Sequence, residues 1–313
     1  MRSFLHRTSR VQFFAPVFAL CLIGSAWAGD PVETKRFLGG GSCPMCDLRY
    51  EHAADIDHAG LDLRGAYMFN INLHGARLLG ARLDSTNLEM ANLERADLSR
   101  SVMDRSSLSN ASLAGATLIG VRMRQVTGRG TIFDAADLSD ADLTTADLRQ
   151  SSFVHVFAER ANLMSANLRG SNFSQARMTG ARLIGADLSQ TNFSEARMDA
   201  TDMRRAVMVR IDLSKAILTY ANLTGAVLTG ANLRNANLTG TNLSNANLDD
   251  ADLTGAEMSS AVLNGASTCG AKLPASMPPG ECKSRTTPDV PNSLGRPLHF
   301  QGGPFPQLGE KKI

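Results

Sequence analysis

The sequence is poor in aromatic residues, and most of it lacks proline. Only 5% of the 313 residues are Phe, Trp or Tyr, while 43% are hydrophobic, so a large buried core must be mainly aliphatic. No proline occurs between Asp47 and Leu273. This absence argues against an ordinary globular domain, whose turns commonly contain proline.

The sequence also lacks an apolar run long enough to cross a membrane. The stretch Val11–Gly24 contains Gln12 and Pro16, and it falls short of the roughly 20 apolar residues that a spanning helix needs. It follows a basic start and precedes the small-x-small sequence Ala-Trp-Ala at 26–28. Residues 1–28 therefore predict a cleaved secretory signal peptide, with an uncleaved membrane anchor as the alternative. The basic residues of the start are Arg2, His6, Arg7 and Arg10.

Export by the general route is favoured over lipidation, because Leu20 precedes Cys21 where a lipoprotein signal needs a small residue. We expect a periplasmic or secreted protein. The chain has 32 Lys and Arg against 30 Asp and Glu, and without residues 1–28 the balance is 29 against 30. A charge so close to zero indicates neither nucleic acid nor, after cleavage, a membrane as partner.

A strict period of five residues dominates the sequence. We call its central apolar position the hub, which falls on every residue number ending in 3 or 8. Of the 41 hubs from Leu63 to Leu263, 39 are Leu, Met or Phe, and the exceptions are Gly128 and Ala158. Two residues before each hub, 26 of 41 positions are Ala and nine are Ser or Thr. Neither a helix nor a strand has this period, so the chain must turn at every repeat.

The repeats at 221–225, 231–235 and 251–255 read Ala-Asn-Leu-Thr-Gly, Ala-Asn-Leu-Arg-Asn and Ala-Asp-Leu-Thr-Gly, and they resemble the pentapeptide repeat family. The resemblance implies an all-β fold, a right-handed quadrilateral parallel β-solenoid with four repeats per 20-residue coil and short strands stacked coil upon coil. On that basis the repeats make about 11 coils. At Gly128 and Ala158 we expect a narrowed core, a bulge or a bend.

One pattern supports the 20-residue coil independently of the resemblance. The aromatic hubs are Phe133, Phe153, Phe173 and Phe193, each 20 residues after the last. In a 20-residue coil they form one core column, whereas any other coil length would scatter them.

The organisation that follows has four parts: a signal peptide at 1–28, a Gly-rich lead and N-terminal cap at 29–45, the solenoid at 46–273, and a Pro-rich C-terminal cap and tail at 274–313. Caps are expected because a parallel solenoid exposes strand edges at both ends. The tail holds eight of the 11 prolines and is predicted to be largely disordered.

The cysteines allow two interpretations. Cys43 and Cys46 with His52 and His58 supply the ligand types of a zinc site, or of a thiol redox site, but an exported chain favours a disulfide. Because the two ends of the rod are far apart, we expect the pair Cys269–Cys282, and Cys43–Cys46 as a second pair that could also remain reduced.

A solenoid packed with Leu and Ala offers no pocket for a Ser-His-Asp triad, so we expect no enzymatic activity and no cofactor. The sequence favours a non-catalytic structural or protein-binding rod, with its partner and oligomeric state open. The family resemblance offers a DNA-mimicking, topoisomerase-protecting protein as the alternative, which the export signal and the near-neutral charge oppose. Two outward apolar pairs, Val207 with Val227 and Met164 with Ile184, could form a partner patch.

Signal cleavage has a direct test, because Trp27 is the only tryptophan in the chain. The exported, purified protein is expected to show tyrosine emission alone, from Tyr50, Tyr67 and Tyr220. Tryptophan emission from that protein would show that the signal is retained.

Overall fold

The computed structural model describes residues 29–275, so the predicted signal peptide and most of the C-terminal tail lie outside the described residues. It contains one helix, α1 (Pro31–Leu38), followed by an uninterrupted series of five-residue repeats. Among the described residues, no helix has the length and apolar character needed to cross a membrane.

Each repeat contains one tight turn, formed by the two residues that follow the hub. The second of these has a positive φ at every repeat from Met45 to Gly270, and the first does not, which is the signature of a type II turn. The turn is closed by a hydrogen bond such as that from the Ala176 amide to the Phe173 carbonyl, at 3.1 Å. Thirty of these 46 left-handed residues are not glycine, although this conformation normally favours glycine.

Successive coils are joined by parallel bridges between residues 20 apart. We call the residue just before each hub the bridge position. Bridges connect these positions from Asp47↔Tyr67 to Asp252↔Lys272, so four repeats make one coil. The expected short strands are reduced to single-residue bridges, because the turn occupies two of the five residues of each repeat. The ladder is nevertheless continuous: the Asn172 amide donates to Ser151 at 3.0 Å, and the Phe173 amide donates to Asn192 at 2.7 Å.

The core lies inside the coils and is built from two sets of columns. Every hub from Leu63 to Leu253 is buried, and so is every residue two positions before a hub from Leu61 to Ala256. Towards the C-terminal end, Met258, Leu263 and Leu273 are only partly buried. The described core is therefore one long aliphatic cylinder with a less covered end.

The aromatic hubs form the column that their spacing predicts. Centroids of consecutive rings from Phe133 to Phe193 are 4.8, 4.2 and 4.7 Å apart, and the ring planes differ by 6° to 13°. A second column accompanies it: the residues two before these phenylalanines are Thr131, Ser151, Ser171 and Thr191. Each of these buried hydroxyls donates to a backbone carbonyl of the preceding coil at 2.8 to 3.0 Å, so it is satisfied inside the core.

The two irregular hubs do not interrupt the ladder, so the expected bulge is absent from the described repeats. Bridges continue in register through Thr127 and Phe157, the residues just before Gly128 and Ala158. At Gly128 the neighbours fill the space, since an added Cβ would lie 2.5 Å from the Thr131 hydroxyl and 2.9 Å from Leu148. The Thr131 hydroxyl lies 2.9 Å from the Gly128 carbonyl as well as from the Leu108 carbonyl of the preceding coil.

The N-terminal cap contains a helix that the sequence analysis did not predict. Asp30 caps α1 by accepting from the amides of Val32 and Glu33, at 2.8 and 3.2 Å, and Pro31 occupies a first-turn position that needs no donor. The first part of the predicted Gly-rich lead is therefore helical, and its glycines follow the end of the helix at Leu38.

Helix α1 covers the strand edge of the first coil. The Glu33 carboxylate accepts from the Asp47 amide at 2.7 Å, and the amides of Asp30 and Gly29 donate to the carbonyls of Asp47 and Arg49, both at 2.9 Å. The Phe37 side chain is fully buried against the core. The edge groups of Asp47 and Arg49, which a preceding coil would have paired, are thus satisfied by the cap.

The assignment of hubs to the core and of bridge positions to the surface predicts how much single substitutions cost in stability. Phe173→Ala should lower the free energy of unfolding by ~3 to 5 kcal/mol, because the ring is buried between Phe153 and Phe193. The matched control Asn172→Ala removes a half-buried side chain whose oxygen accepts one hydrogen bond, from the Ser174 amide, and should cost only about 1 kcal/mol. Chemical denaturation measures both values, and equal losses would refute the register.

Candidate binding surface

The four predicted metal or thiol residues do not come together in the described part of the chain. The Cys43 and Cys46 sulfurs are bonded to each other, with their Cα atoms 5.5 Å apart, and both residues are buried. Cys43 takes a hub position in the first coil, so the repeat geometry begins slightly before residue 46. His58 also takes a hub position, and its Nε2 donates to the Leu38 carbonyl at 3.1 Å. His52 is exposed at a bridge position.

Within residues 29–275, no cluster of three or more His, Cys, Asp or Glu side chains has the geometry to hold a metal ion. The other predicted disulfide cannot be evaluated as a pair, because Cys282 lies outside the described residues. The link Cys269–Cys282 stays a prediction.

The cavities on the rod are open surface grooves rather than active-site pockets. Three of them have volumes of about 360, 210 and 190 Å³. None of the three is lined by a histidine or a cysteine; the linings consist of arginines, acidic residues, glutamines, threonines and one glycine. Such grooves could recognise a charged or polar surface, but the linings of these three contain neither a histidine base nor a serine or cysteine nucleophile.

The largest of these three grooves is lined by residues that form ion pairs with one another and with neighbouring residues. The Asp104 carboxylate forms ion pairs with the guanidinium groups of Arg122, at 2.9 Å, and Arg124, at 2.7 Å. Arg122 also lies 3.9 Å from Asp84, and Arg124 lies 4.0 Å from Asp142. Partial burial opposes ionisation of Asp104, but hydrogen bonds from Arg124 and the charges of both arginines outweigh it and hold the pKa of this carboxyl below its ordinary value. The charged groups at this groove are therefore already paired with one another.

A more distinctive surface runs along one face of four consecutive coils. We call it the Phe157 face, defined by the bridge positions Phe157, Arg177, Arg197 and Ile217, which are connected in sequence by the ladder. Phe157 is 38% exposed, and the Arg177 guanidinium lies 5.3 Å from the centre of its ring. This distance is that of a cation–π contact, which holds the arginine in line with the ring.

Polar residues at the first turn position border the Phe157 face. Glu159 and Thr179 line a groove of about 210 Å³ with Arg177 and Arg197. Arg197 also lies 4.0 Å from Asp199, to which the Thr219 hydroxyl donates. At the corner of the same face, Tyr220 is 74% exposed. Exposed Phe, Tyr and Arg side chains around an acidic border form the composition that protein-binding sites favour.

The two apolar pairs noted in the sequence are less prominent. Val207 and Val227 are bridge partners, as the 20-residue spacing requires, and Met164 and Ile184 also lie one coil apart. All four are only half exposed. The alignment of Phe157 with Arg177 and Arg197 was not among the predictions made from the sequence. Listing bridge positions by multiples of 20 would have placed them in one column.

Comparison with known proteins agrees with this geometry. A family model described as pentapeptide repeats matches in eight copies, over residues 62–100, 106–144, 141–180, 171–208, 206–245 and 231–267. No curated protein sequence gives a match.

Several solved structures are similar to this chain. HetL, a pentapeptide repeat protein involved in heterocyst differentiation regulation from the cyanobacterium Nostoc sp. strain PCC 7120, is 29% identical, with 69% of this chain and 90% of that chain covered and a TM-score of 0.30. QnrB1, a plasmid-mediated fluoroquinolone resistance protein, is 24% identical, with 58% and 89% covered and a TM-score of 0.32. A pentapeptide repeat protein of the Arabidopsis thaliana thylakoid lumen is 31% identical, with 33% and 65% covered and a TM-score of 0.22.

Pentapeptide repeat proteins fold as a right-handed quadrilateral β-helix and are typically structural or binding proteins. The family model matches more than half of the sequence, and the matched residues lie within the repeats that the bridges and buried hubs define. This chain belongs to the pentapeptide repeat family.

Proposed function

We propose that this protein is a non-catalytic, exported rod that binds a protein partner through the Phe157 face. The observation that carries the proposal is the line of Phe157, Arg177, Arg197 and Ile217 across four coils, with the arginine held over the ring. Arginine and aromatic side chains supply most of the energy in typical protein interfaces.

The backbone beneath this face supports the proposal, because it is already ordered. The Arg177 amide donates to the Val156 carbonyl at 2.8 Å, and the Arg177 carbonyl accepts from the Ala158 amide at 2.7 Å, so both backbone groups of this residue are bonded to the preceding coil, on either side of Phe157. A partner would therefore meet a preorganised surface and would not have to order a loop, which is a large cost of association elsewhere.

Export is supported by the composition of residues 1–28, and an oxidising compartment is consistent with the Cys43–Cys46 disulfide. We further infer about 11 coils, which at ~4.8 Å per coil give a rod of roughly 50 Å. A rod of this size could present several partner sites along one axis.

The DNA-mimicking alternative gains no support from the charges. Residues 29–275 hold 24 Lys and Arg against 27 Asp and Glu, and many of these are paired across coils, as Arg160 is with Asp140. A surface of alternating signs lacks the strongly negative field of a nucleic-acid mimic, so we do not propose this function.

The Phe157 face is tested by affinity capture from the cell envelope with the processed protein. The double variant Phe157→Ala/Arg177→Ala is expected to retain at least about tenfold less of any protein that the wild type captures specifically, because it removes both the ring and the cation. Ile132→Ala is the matched control, since Ile132 is also an exposed apolar bridge residue, at 40%, but lies on another face.

Both variants should unfold at nearly the wild-type temperature, because neither side chain is part of the core. Retention of the same proteins by the double variant would contradict the assigned face. Recovery of the unprocessed chain from the cytoplasm would contradict export instead.

A further inference from the structure

A second surface, on the opposite side of the coil, carries an uninterrupted column of arginines. Arg129, Arg149 and Arg169 occupy the first turn position of three consecutive coils. The repeat that contains Arg149 and the repeat that contains Phe157 are two apart in a four-repeat coil, so the two surfaces face away from each other. The arginine column is thus independent of the Phe157 face.

A missing side chain creates a notch beside this column. Gly170 lies at the corner between Gln150 and Gln190, which occupy the same corner one coil before and one coil after it. Together with the three arginines these residues line a groove of about 190 Å³, which we call the Gly170 notch. Two amide side chains that can both donate and accept hydrogen bonds therefore flank an opening next to guanidinium groups.

The guanidinium groups around the notch keep unused donors. Arg149 binds Asp147 through Nε and Nη2, at 2.7 and 2.9 Å, which leaves Nη1 without a partner among the described contacts. The Arg129 Nε donates to the Gln150 side-chain oxygen at 2.7 Å. The Arg169 guanidinium makes no hydrogen bond or ion pair within the described residues.

Cations exceed anions around the notch. The neighbouring bridge positions contribute Asp147, which Arg149 engages, and Asp187, which accepts from the Ser189 amide at 3.0 Å. The next corner residue, Arg210, adds a fourth arginine. Four arginines against two aspartates leave an excess of positive charge that one or two further anionic groups could neutralise. The planar guanidinium group of arginine is well suited to bind such groups when they are oxyanions.

We propose that the Gly170 notch binds an acidic polysaccharide that lies along the rod axis. Its carboxylates would contact Arg149 and Arg169, and its hydroxyls would contact Gln150 and Gln190. Arginines repeated at the coil spacing of ~4.8 Å suit a chain of repeated charges better than a single ion. No aromatic residue lines the notch, so it lacks the stacking platform that single-stranded nucleic acids use.

The test measures binding of the purified full chain to polygalacturonate by calorimetry, with dextran as the neutral polymer and inorganic polyphosphate as the phosphate source. Gly170→Gln fills the notch without changing the net charge. The left-handed turn tolerates glutamine, as Gln150 and Gln190 show, and an added Cβ meets nothing nearer than 3.6 Å. Arg149→Gln/Arg169→Gln removes the cations instead.

We expect both variants to bind polygalacturonate at least about tenfold more weakly than the wild type, because the arginine variant loses charge-assisted contacts and Gly170→Gln occupies the space through which the polymer reaches them. The control Arg95→Gln/Arg100→Gln makes the same change of charge at two exposed corner arginines elsewhere, and it should bind within about twofold of the wild type.

Four results would overturn the proposal. The first is no binding of polygalacturonate by the wild type, and the second is unchanged binding by Gly170→Gln. Tighter binding of polyphosphate than of polygalacturonate would contradict the assignment to a polysaccharide. An equal loss in the control variant would show diffuse charge attraction only.

Discussion

The hydrogen bond between residues of adjacent coils is the constraint on which the rest of this structure depends. Each bridge position donates to the coil before it and each hub amide donates to the coil after it, so every residue lies next to the residue 20 positions away. The ladder converts sequence spacing into columns. It also holds the turns: 30 non-glycine residues adopt a left-handed conformation that typically costs roughly 1 to 2 kcal/mol each, which the ladder and the buried hubs must offset.

Column formation explains both the core and the surface. Inside, it stacks four phenylalanine rings and places a row of hydroxyls beside them, each donating to a carbonyl of the preceding coil. Outside, it aligns Phe157 with Arg177 on one face and Arg149 with Arg169 on the opposite face. One scaffold therefore displays two chemically different surfaces, which we propose bind a protein and a polyanion.

Much of this architecture was predictable from the sequence, because a strict period of five leaves few arrangements that bury every hub. The spacing of Phe133 to Phe193 was sufficient to predict the coil length. Helix α1 was missed because residues 29–45 were interpreted from their glycines alone, although Asp30 and Pro31 form a helix start signal. The hydroxyl column and the Phe157 face were missed because the 20-residue interval was applied to the aromatic hubs and to two apolar surface pairs, and not to the serines and threonines or to the residues in line with Phe157. The notch at Gly170 depends on which side chains flank a glycine across coils, which only the stacking reveals.

The ladder itself is tested most directly by disulfide trapping between outward bridge positions. In Asn172→Cys/Asn192→Cys the two residues are bridge partners one coil apart, close enough for a disulfide, which tolerates Cα separations of about 4.4 to 6.8 Å. In Asn167→Cys/Asn172→Cys the two residues are nearer in sequence but lie on adjacent faces. Mild oxidation and peptide mapping should give the 172–192 link and not the 167–172 link. Trapping of the 167–172 pair alone would contradict the 20-residue coil.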